Sequence, residues 1–460
     1  MSAIDEMHEH FMTGFQRALG DAEQRERRIG AELKFPLVNE DGTAVSLEKI
    51  NALWAYLAGR GWEPVKDAMT DTIVGARKPG AQNDTVASCE TGFCKTEFSL
   101  AHVANLFELA ESVANLRAEL RPFAEQNNVR FLAYGIQPVT RPNKQLLMKK
   151  GRTSVWDKVF GANRVLPPED GDDVNLFTVN AASHVHVGVS RDEAIRAVNV
   201  LNGFAPAQIA LTADSSVWRG RVDPDYLCVA EKFWDWWMPD ADRIGIPRKP
   251  FTDLKDYVAA IAGFRPVYVK REGKPVVIKD CATFLEYYQS SSVRGLDADG
   301  NEIDVVPEEA DIDLHGTCYW FNARLSHYYT VENRVIDQQP PADLILPAAL
   351  TLGLVSALSE AWDALGAYDW DTLRTGRETA CAQALAGCID GLDLAALADV
   401  MLGVAEGGLR GRGLGEERLL GPLRERLAAR RCPAQDASAS FERGGAAALV
   451  AARDLREQGG

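Results

Sequence analysis

Two histidines separated by a single residue, His184 and His186, stand in the stretch NAASHVHVGVS at residues 180–190 of a chain with only seven histidines. Successive side chains of a β-strand point to opposite faces, so a strand here would place both imidazoles on one face and the neighbouring valines on the other. Such a pair can direct nitrogen ligands at a metal ion or meet a phosphate. The alternative is two half-buried histidines that hydrogen-bond only to their neighbours.

Carboxylates in two further stretches are candidates for the same site. Glu32 lies in the apolar stretch RIGAELKF and is either a solvated edge residue or a site residue. Glu90 and Glu97 lie seven residues apart in CETGFCKTEFS, with Gly92 between them. If Gly92 turns the chain, both carboxylates can reach one pocket. The alternative is a surface hairpin that carries two solvated acids.

A glutamate and an arginine share one face of a third predicted strand, in YTVENRVIDQQP. Glu332 and Arg334 lie on that face, and Val331 and Val335 lie on the other. The pair is either a structural ion pair or a metal ligand beside a phosphate-binding arginine, because a planar guanidinium matches phosphate oxygens. Arg324, ten residues before Arg334, can supply a second such group.

The combination of carboxylates, imidazoles and arginines on strands is typical of a site in which divalent cations hold a polyphosphate. The chain has no G-x-x-x-x-G-K-S/T loop, which excludes a P-loop as the nucleotide-binding element. It also has no G-x-S-x-G and no H-E-x-x-H motif, which weakens the case for a serine hydrolase or a zinc protease.

The elements that must position these residues do not alternate in strict βαβ order, which favours an α+β fold around a largely antiparallel sheet. The clearest predicted helix covers residues 99–124, with Ser99 as its N-terminal cap. From residue 341 onward the chain is rich in alanine and leucine and almost wholly helical by pattern. We therefore predict a catalytic domain at 1–340 and a mostly helical C-terminal region at 341–460, packed on it.

Composition narrows the class of protein. The net charge of −16 over 460 residues makes general nucleic-acid binding a poor expectation, because phosphate backbones require basic patches. The N-terminus lacks the basic and apolar regions of a signal peptide, and the longest apolar run, 344–358, is too short to span a bilayer. Eight dispersed cysteines without a C-x-x-C pair fit reduced thiols. The expectation is a cytoplasmic protein that contacts neither membrane nor nucleic acid.

The order of the motifs resembles the glutamate–cysteine ligase family, especially its plant-type branch, which is related to glutamine synthetase. The matching stretches are RIGAELKF, CETGFCKTEFS, RPNKQLLMKK, NAASHVHVGVS, TCYWFNARLSHYYTVENRVIDQQP and VAEGGLRGRGLGEERLLGPL. They follow the family order from residue 28 to about 425. The resemblance implies a glutamine synthetase-like concave sheet lined with active-site residues and backed by helices. It also implies a requirement for ATP and Mg²⁺ or Mn²⁺.

The resemblance assigns roles residue by residue. Metal-binding places of the family match Glu32, Glu97, His184 and Glu332, with Glu90 as a further acidic place. Places that meet ATP phosphates or the transferred phosphoryl group match His186, Arg324 and Arg334. Substrate contacts are expected at Lys144, which Gln145 follows where the family tends to have an arginine, and at Arg243, proposed for a substrate carboxylate.

The chain departs from the family at its first strand. The family usually has G-x-E-x-E there, whereas this chain has GAELK, with Lys34 in place of the second acid. A lysine cannot bind Mg²⁺, but its ammonium can occupy roughly the same place. We hypothesise that Lys34 replaces the charge of one metal ion and so takes part in catalysis. The alternative is that Lys34 points away and Glu32 serves for both acids.

The resemblance implies an ATP-dependent carboxylate–amine ligase that forms a γ-glutamyl amide from glutamate and an amino acid or amine, through an acyl phosphate. Cysteine is the family-default acceptor, and the chain is expected to act as a monomer or homodimer. Three alternatives stay open at this point. They are a γ-glutamyl ligase for a non-cysteine acceptor, a His-x-His metallohydrolase, and a binding or regulatory protein with a decayed site.

Overall fold

The computed structural model describes residues 2–19, 27–81, 83–159, 165–238 and 241–456. Its strands are β1 (Ile29–Val38), β2 (Glu63–Lys66), β3 (Ile73–Lys78), β4 (Thr85–Cys89), β5 (Lys95–Ser99), β6 (Arg130–Phe131), β7 (Ala182–Gly188), β8 (Val217–Trp218), β9 (Arg221–Val222), β10 (Ile244–Gly245), β11 (Tyr268–Arg271), β12 (Lys274–Ile278), β13 (Val293–Leu296), β14 (Glu302–Val305), β15 (Trp320–Phe321), β16 (Ala323–Leu325), β17 (Thr330–Asp337), β18 (Cys388–Ile389) and β19 (Leu392–Asp393). Its helices are α1 (Ala3–Leu19), α2 (Leu47–Ala58), α3 (Leu106–Gln126), α4 (Trp156–Val159), α5 (Arg191–Gly203), α6 (Ala205–Thr212), α7 (Val229–Trp237), α8 (Leu254–Ala262), α9 (Phe284–Gln289), α10 (Ala310–His315), α11 (Leu346–Ser356), α12 (Leu358–Leu365), α13 (Trp370–Gln383), α14 (Leu394–Gly411), α15 (Gly421–Ala429) and α16 (Pro433–Arg453).

One large sheet organises the fold. Its strand order is β16-β17-β7-β1-β5-β4-β3-β2, and β6 pairs with the far end of β1. Every pairing within this sheet is antiparallel. The predicted α+β class with a largely antiparallel sheet is therefore confirmed. Strands β1 and β7 lie side by side at its centre, although about 150 residues of sequence separate them.

The alternation of residue types along the central strands decides which face is buried. On β1 the side chains of Ile29, Ala31 and Leu33 are buried in the core. On β7 the side chains of Val185 and Val187 are buried in the same way. The residues between them, which include the acidic and imidazole side chains, therefore point to the other face, as a strand period of two requires.

Helices cover the apolar face of the sheet. Helices α6 and α11 pack against β17 and β7, respectively. A buried side chain of β17 ties the layers together, because the Asn333 amide donates to Gln208 Oε1 of α6 and to Thr351 Oγ1 of α11. Helix α11 packs in turn against α14 of the C-terminal region. This backing leaves the opposite face of the sheet free to form a site.

The start of the third helix differs from the prediction. Ser99 is the last residue of β5 and does not cap a helix, and α3 begins at Leu106. Asn105 is the cap, and its side chain accepts hydrogen bonds from the backbone N–H groups of Phe107 and Glu108. The prediction was wrong because Ser99 pairs with Glu32 across the sheet, a long-range contact that overrides the local capping signal.

We expect Asn105→Ala to lower the free energy of unfolding by about 1 kcal/mol, because two N–H groups at the start of α3 would lose their acceptor. Asn105→Ser is the matched control, since a serine oxygen can serve as the cap. Urea denaturation followed by circular dichroism measures both. Equal stability of the alanine variant and the unmodified protein would contradict the capping role.

The C-terminal part of the chain is mostly helical, as predicted, with α11 to α16 interrupted by the short hairpin of β18 and β19. The division into a domain at 1–340 and a region at 341–460 stays a prediction. All eight cysteines are free thiols, as expected from their spacing. No single described helix has the length and apolarity to cross a membrane. The pair α11 and α12 meets that test by length and composition alone, and the two are bent by 88°.

Candidate active site

Strand register brings four predicted site residues together around β1. Glu32 lies directly opposite His184 on β7, and Lys34 lies directly opposite Glu97 on β5. Directly opposed residues of an antiparallel pair project from the same face of the sheet. Because Glu32 and Lys34 are two residues apart on β1, all four side chains share the face that the helices leave open.

Strand β17 adds a second set of side chains to the same face. Glu332 pairs with His186 on β7 and with Arg324 on β16. Arg334, two residues further along β17, lines the same cleft as Glu332. The register between β17 and β7 shifts immediately after Asn333, and an irregularity of this kind re-aims the side chains next to it. Both predicted histidines and both predicted arginines therefore meet in one place.

Two carboxylates and one imidazole could hold a divalent cation. One ligand atom from each of Glu32, His184 and Glu332 lies within 4.8 Å of the others. His184 Nδ1 is 3.0 Å from Glu32 Oε2 and 3.5 Å from Glu332 Oε1. Burial, with the positive charges of Lys34 and Arg334, lowers the pKa of His184 to about 3, so its imidazole is neutral and available as a ligand. Oxygen ligands with one imidazole suit Mg²⁺ or Mn²⁺.

Lys34 points into this cluster. Its Nζ lies 2.8 Å from Glu32 Oε2, 3.0 Å from Glu97 Oε2 and 3.1 Å from His184 Nδ1. Burial would lower the pKa of Lys34, but the neighbouring carboxylates outweigh it and raise that pKa above its usual value. Burial would also raise the pKa of Glu32. The positive charge of Lys34 outweighs burial and helps to hold the pKa of Glu32 well below its usual range. The alternative in which Lys34 points away is wrong.

The two arginines bind the same carboxylate. Arg324 Nε donates to Glu332 Oε2 at 2.9 Å, and Arg334 donates to Glu332 Oε1. Their charges outweigh burial and hold the pKa of Glu332 well below its usual range. His186 Nε2 lies 3.2 Å from Glu32 Oε1, and its Nδ1 lies 2.9 Å from Thr330 Oγ1. Each predicted phosphate-binding residue thus contacts a predicted metal ligand directly.

Glu90 and Glu97 reach one pocket because Gly92 turns the chain between β4 and β5. Both carboxyl groups line the same cleft. Burial, with the charges of Glu32 and Glu90, raises the pKa of Glu97 to about 8 against the opposing effect of Lys34. Glu90 also lies 3.6 Å from the Arg152 guanidinium. The surface-hairpin alternative is therefore wrong for this segment.

We expect Gly92→Ala to lower the free energy of unfolding by about 1–3 kcal/mol, the usual cost of overpacking. A Cβ atom on Gly92 would lie 2.2 Å from the carbonyl oxygen of Thr178, which is backbone and cannot rotate away. Gly407→Ala in α14 is the matched control, because its Cβ would meet open space within a helix. Thermal denaturation measures both, and equal melting temperatures for Gly92→Ala and the unmodified protein would contradict the close approach.

The site is a cleft of about 290 Å³ with two kinds of wall. Its ionic wall comprises Glu32, Lys34, Glu90, Lys95, Glu97, Arg152, His184, His186, Arg324, Glu332 and Arg334. Its aromatic wall comprises Trp156, Phe177, Trp234, Trp237, Tyr268 and Trp320. A larger cavity of about 820 Å³ adjoins it, and Glu32, Glu97, His186 and His327 line both.

Two predicted substrate contacts do not line the cleft. Arg243 is buried, and its guanidinium donates to the carbonyl oxygens of Cys318 and Arg265. Lys144 is exposed and lies 3.3 Å from the Asp157 carboxylate. Both positions were inferred from the resemblance alone, and the local folding of their loops directs them elsewhere.

Several residues of the cleft were not predicted from the sequence. Lys95 shares its strand face with Glu97, so the alternation rule applied to CETGFCKTEFS could have found it. It donates to the carbonyl oxygen of Phe177 and to Asn180 Oδ1, and burial lowers its pKa to about 8. The aromatic wall had no detectable signal, because its members come from separate segments and aromatic residues usually serve as core.

Residues 12–452 match the sequence profile described as glutamate-cysteine ligase family 2. The chain belongs to this family. The predicted resemblance is thus confirmed, and the chain is an ATP-dependent ligase. A provisionally named glutamate–cysteine ligase 2-3 from Mycolicibacterium smegmatis is 28% identical over 300 residues, 60% of this chain and 75% of that protein. A protein of the same provisional name from Rubrobacter xylanophilus is 33% identical over 119 residues, 26% of this chain and 30% of that protein.

Solved structures show the same fold at low sequence identity. The glutamate–cysteine ligase of Francisella tularensis, solved in complex with AMP, superposes with a TM-score of 0.56 at 9% identity, over 94% of this chain and 88% of that one. A bifunctional glutathione synthetase from Pasteurella multocida gives a TM-score of 0.51 at 11% identity, over 97% of this chain and 54% of that one. The fold of this family member is therefore that of glutamate–cysteine ligases.

Proposed function

We propose that this ligase joins the side-chain carboxylate of glutamate to an amine and converts ATP to ADP and phosphate. One observation carries the proposal. Four strands, β1, β7, β16 and β17, direct two carboxylates, two imidazoles and two arginines at a single cleft. This combination of charges suits a polyphosphate with its cations. Positioning and charge stabilisation are the main contributions that such a ligase makes at the reacting centre.

The nucleoside is proposed to occupy the larger cavity. Its wall includes apolar side chains such as Val86 and Leu100, beside the polar groups of Asn83 and Asp84. Mostly apolar cavities with a few polar groups are the usual setting for small ligands. Since four residues line both cavities, the phosphate chain of a bound nucleotide would cross from the larger cavity into the ionic wall of the cleft.

The proposed chemistry has two steps. A free carboxylate resists attack by an amine because oxide is a very poor leaving group. In the first step an oxygen of the glutamate side chain attacks the γ-phosphorus of ATP, the bond to the β-γ bridging oxygen breaks, and an acyl phosphate and ADP form. In the second step the neutral amine attacks the acyl carbon, phosphate leaves with the proton that the nitrogen loses, and the product is an amide. Both nucleophiles belong to the substrates, so no covalent enzyme intermediate is required.

The ionic wall supplies the charge neutralisation that the first step needs. Arg334 and Arg324 would stabilise the negative charge on the transferring phosphoryl group, as arginines do in other phosphoryl transfers. His186 would donate to a phosphate oxygen, because its contacts with Glu32 and Glu332 outweigh burial and raise its pKa. A divalent cation held by Glu32, His184 and Glu332 would offset charge on the phosphate oxygens when bound.

The acceptor is proposed to lie against the aromatic wall. Trp234 and Trp320 stack there with ring centroids 5.6 Å apart, and Phe177 lies 4.2 Å from Trp234. Cysteine is the family default. A wall of this extent favours an amine with a larger apolar or aromatic side chain, because apolar contact area contributes most of the binding free energy there. This observation supports the alternative of a non-cysteine γ-glutamyl ligase.

The test is an incubation with ATP, Mg²⁺, glutamate and a panel of amines that includes cysteine and the aromatic amino acids, analysed by mass spectrometry. We expect a product heavier than glutamate by the amine minus water, and ADP rather than AMP, only with a productive acceptor. Turnover of a substrate without ATP would instead indicate a metallohydrolase. Nucleotide binding without any product would indicate a regulatory protein.

A further inference from the structure

Lys34 places a buried positive charge among the acidic ligands of the cleft. Its side chain is only 6% exposed and belongs to the central strand of the sheet. The backbone of the residue is held as well, since its N–H donates to Gln338 Oε1 at 2.9 Å. Both the backbone and the side chain of Lys34 are therefore held in place at the centre of the sheet.

The surroundings of the ammonium resemble the coordination of a small cation. An ammonium group has three hydrogens to donate and accepts none. Two carboxylate oxygens accept from Nζ, namely Glu32 Oε2 at 2.8 Å and Glu97 Oε2 at 3.0 Å. His184 Nδ1 lies 3.0 Å from the same Glu32 oxygen, and in the tautomer protonated at Nδ1 the imidazole donates to it and keeps its Nε2 lone pair for a metal ion. Glu32 and His184 also belong to the trio with Glu332 that could hold a divalent cation. The ammonium thus stands beside that trio, on the side of Glu97.

We propose that the Lys34 ammonium stands in for one divalent cation. On this proposal the protein alone holds a single divalent cation, at Glu32, His184 and Glu332, and Glu97 serves as the partner of Lys34 instead of a second metal ligand. The inference rests on the proposed function in one respect, namely that the positive charge of Lys34 would face the phosphates of ATP. The number of bound cations itself does not depend on which substrates the ligase takes.

The place that Nζ occupies explains why Lys34 and a second metal ion exclude each other. Nζ lies between Glu32 Oε2 and Glu97 Oε2 and contacts both. A metal ion that bridged these two carboxylates would have to displace the ammonium. A lysine charge also differs from a metal in being permanent, so this side of the site would stay neutralised at any concentration of Mg²⁺.

The experiment counts Mn²⁺ ions bound per chain in the absence of nucleotide, by electron paramagnetic resonance of the free ion. The protein is compared with Lys34→Gln, which removes the charge, and with Lys34→Glu, which supplies a further carboxylate. We expect one bound Mn²⁺ in the unmodified protein and two in each variant. Lys95→Gln is the matched control, because it removes a buried lysine of the same wall whose hydrogen bonds go to a carbonyl and an amide, and it should keep the count of one.

Two outcomes would overturn the proposal. One is two or more Mn²⁺ ions on the unmodified protein, which decides the matter even if a variant fails to fold. The other is an unchanged count in a Lys34→Gln variant whose circular dichroism shows native folding. The product assay on the unmodified protein is separate. A chain that makes no amide with any amine would refute the proposed function and leave the difference in metal count standing.

Discussion

Replacement of Arg334 by alanine is expected to reduce the rate of ADP formation by ~10³ or more, the usual effect of losing an arginine that stabilises a transferring phosphoryl group. The guanidinium lines the cleft and pairs with Glu332, whose other oxygen is held by Arg324. Because Arg324 stays in place, Glu332 keeps a partner and the fold should persist. Steady-state assays of ADP release, with thermal denaturation alongside, measure both effects.

Two comparisons sharpen this prediction. Arg334→Lys keeps the charge but loses the planar fork, so its rate should lie between that of the alanine variant and that of the unmodified protein. Arg121→Ala removes an exposed arginine on α3 that pairs with Glu125, outside the cleft, and should leave the rate unchanged. A rate within a factor of three of normal in Arg334→Ala would rule out its role in phosphoryl transfer.

Replacement of His184 by alanine is expected to weaken Mn²⁺ binding by more than ~10², since loss of groups that merely support metal ligands already costs 10–100-fold. The rate of amide formation should fall by at least the same factor when the metal concentration is limiting. The fold should survive, because the hydrogen bonds between β7, β1 and β17 are made by the backbone and the valines of β7 keep their packing. Titration with Mn²⁺ measures the affinity, and rates at low and high Mg²⁺ show whether excess metal restores activity.

The control for the histidine is His8→Ala on α1, which removes an imidazole outside the cleft and should change neither metal affinity nor rate. Normal Mn²⁺ affinity in a folded His184→Ala variant would remove this residue from the metal site. It would also remove the trio with Glu32 and Glu332, because those two carboxylates are already engaged by Lys34, Arg324 and Arg334.

Local pattern sufficed wherever a residue's role depends on its own strand or helix. The period of two in NAASHVHVGVS predicted that His184 and His186 share a face, and β7 confirms it. Likewise Ser46 caps α2 and Ser190 forms a capping box on α5, and each serine directly precedes the helix that it caps. These signals act over fewer than about ten residues, so the chain carries them whatever its partners are.

Contacts between distant segments depend on strand register and packing, which local pattern does not predict. That Lys34 faces Glu97 and His184 depends on the register of β1 against β5 and β7, which pairs residues up to about 150 positions apart. The aromatic wall, the burial of Arg243 away from the cleft and the loss of Ser99 to the sheet depend on packing in the same way. The sequence by itself determined the α+β class, the family and the types of residue in the site. Only the tertiary structure decided which of them meet, because register and packing are set by the free energy of the whole core and not by any one segment.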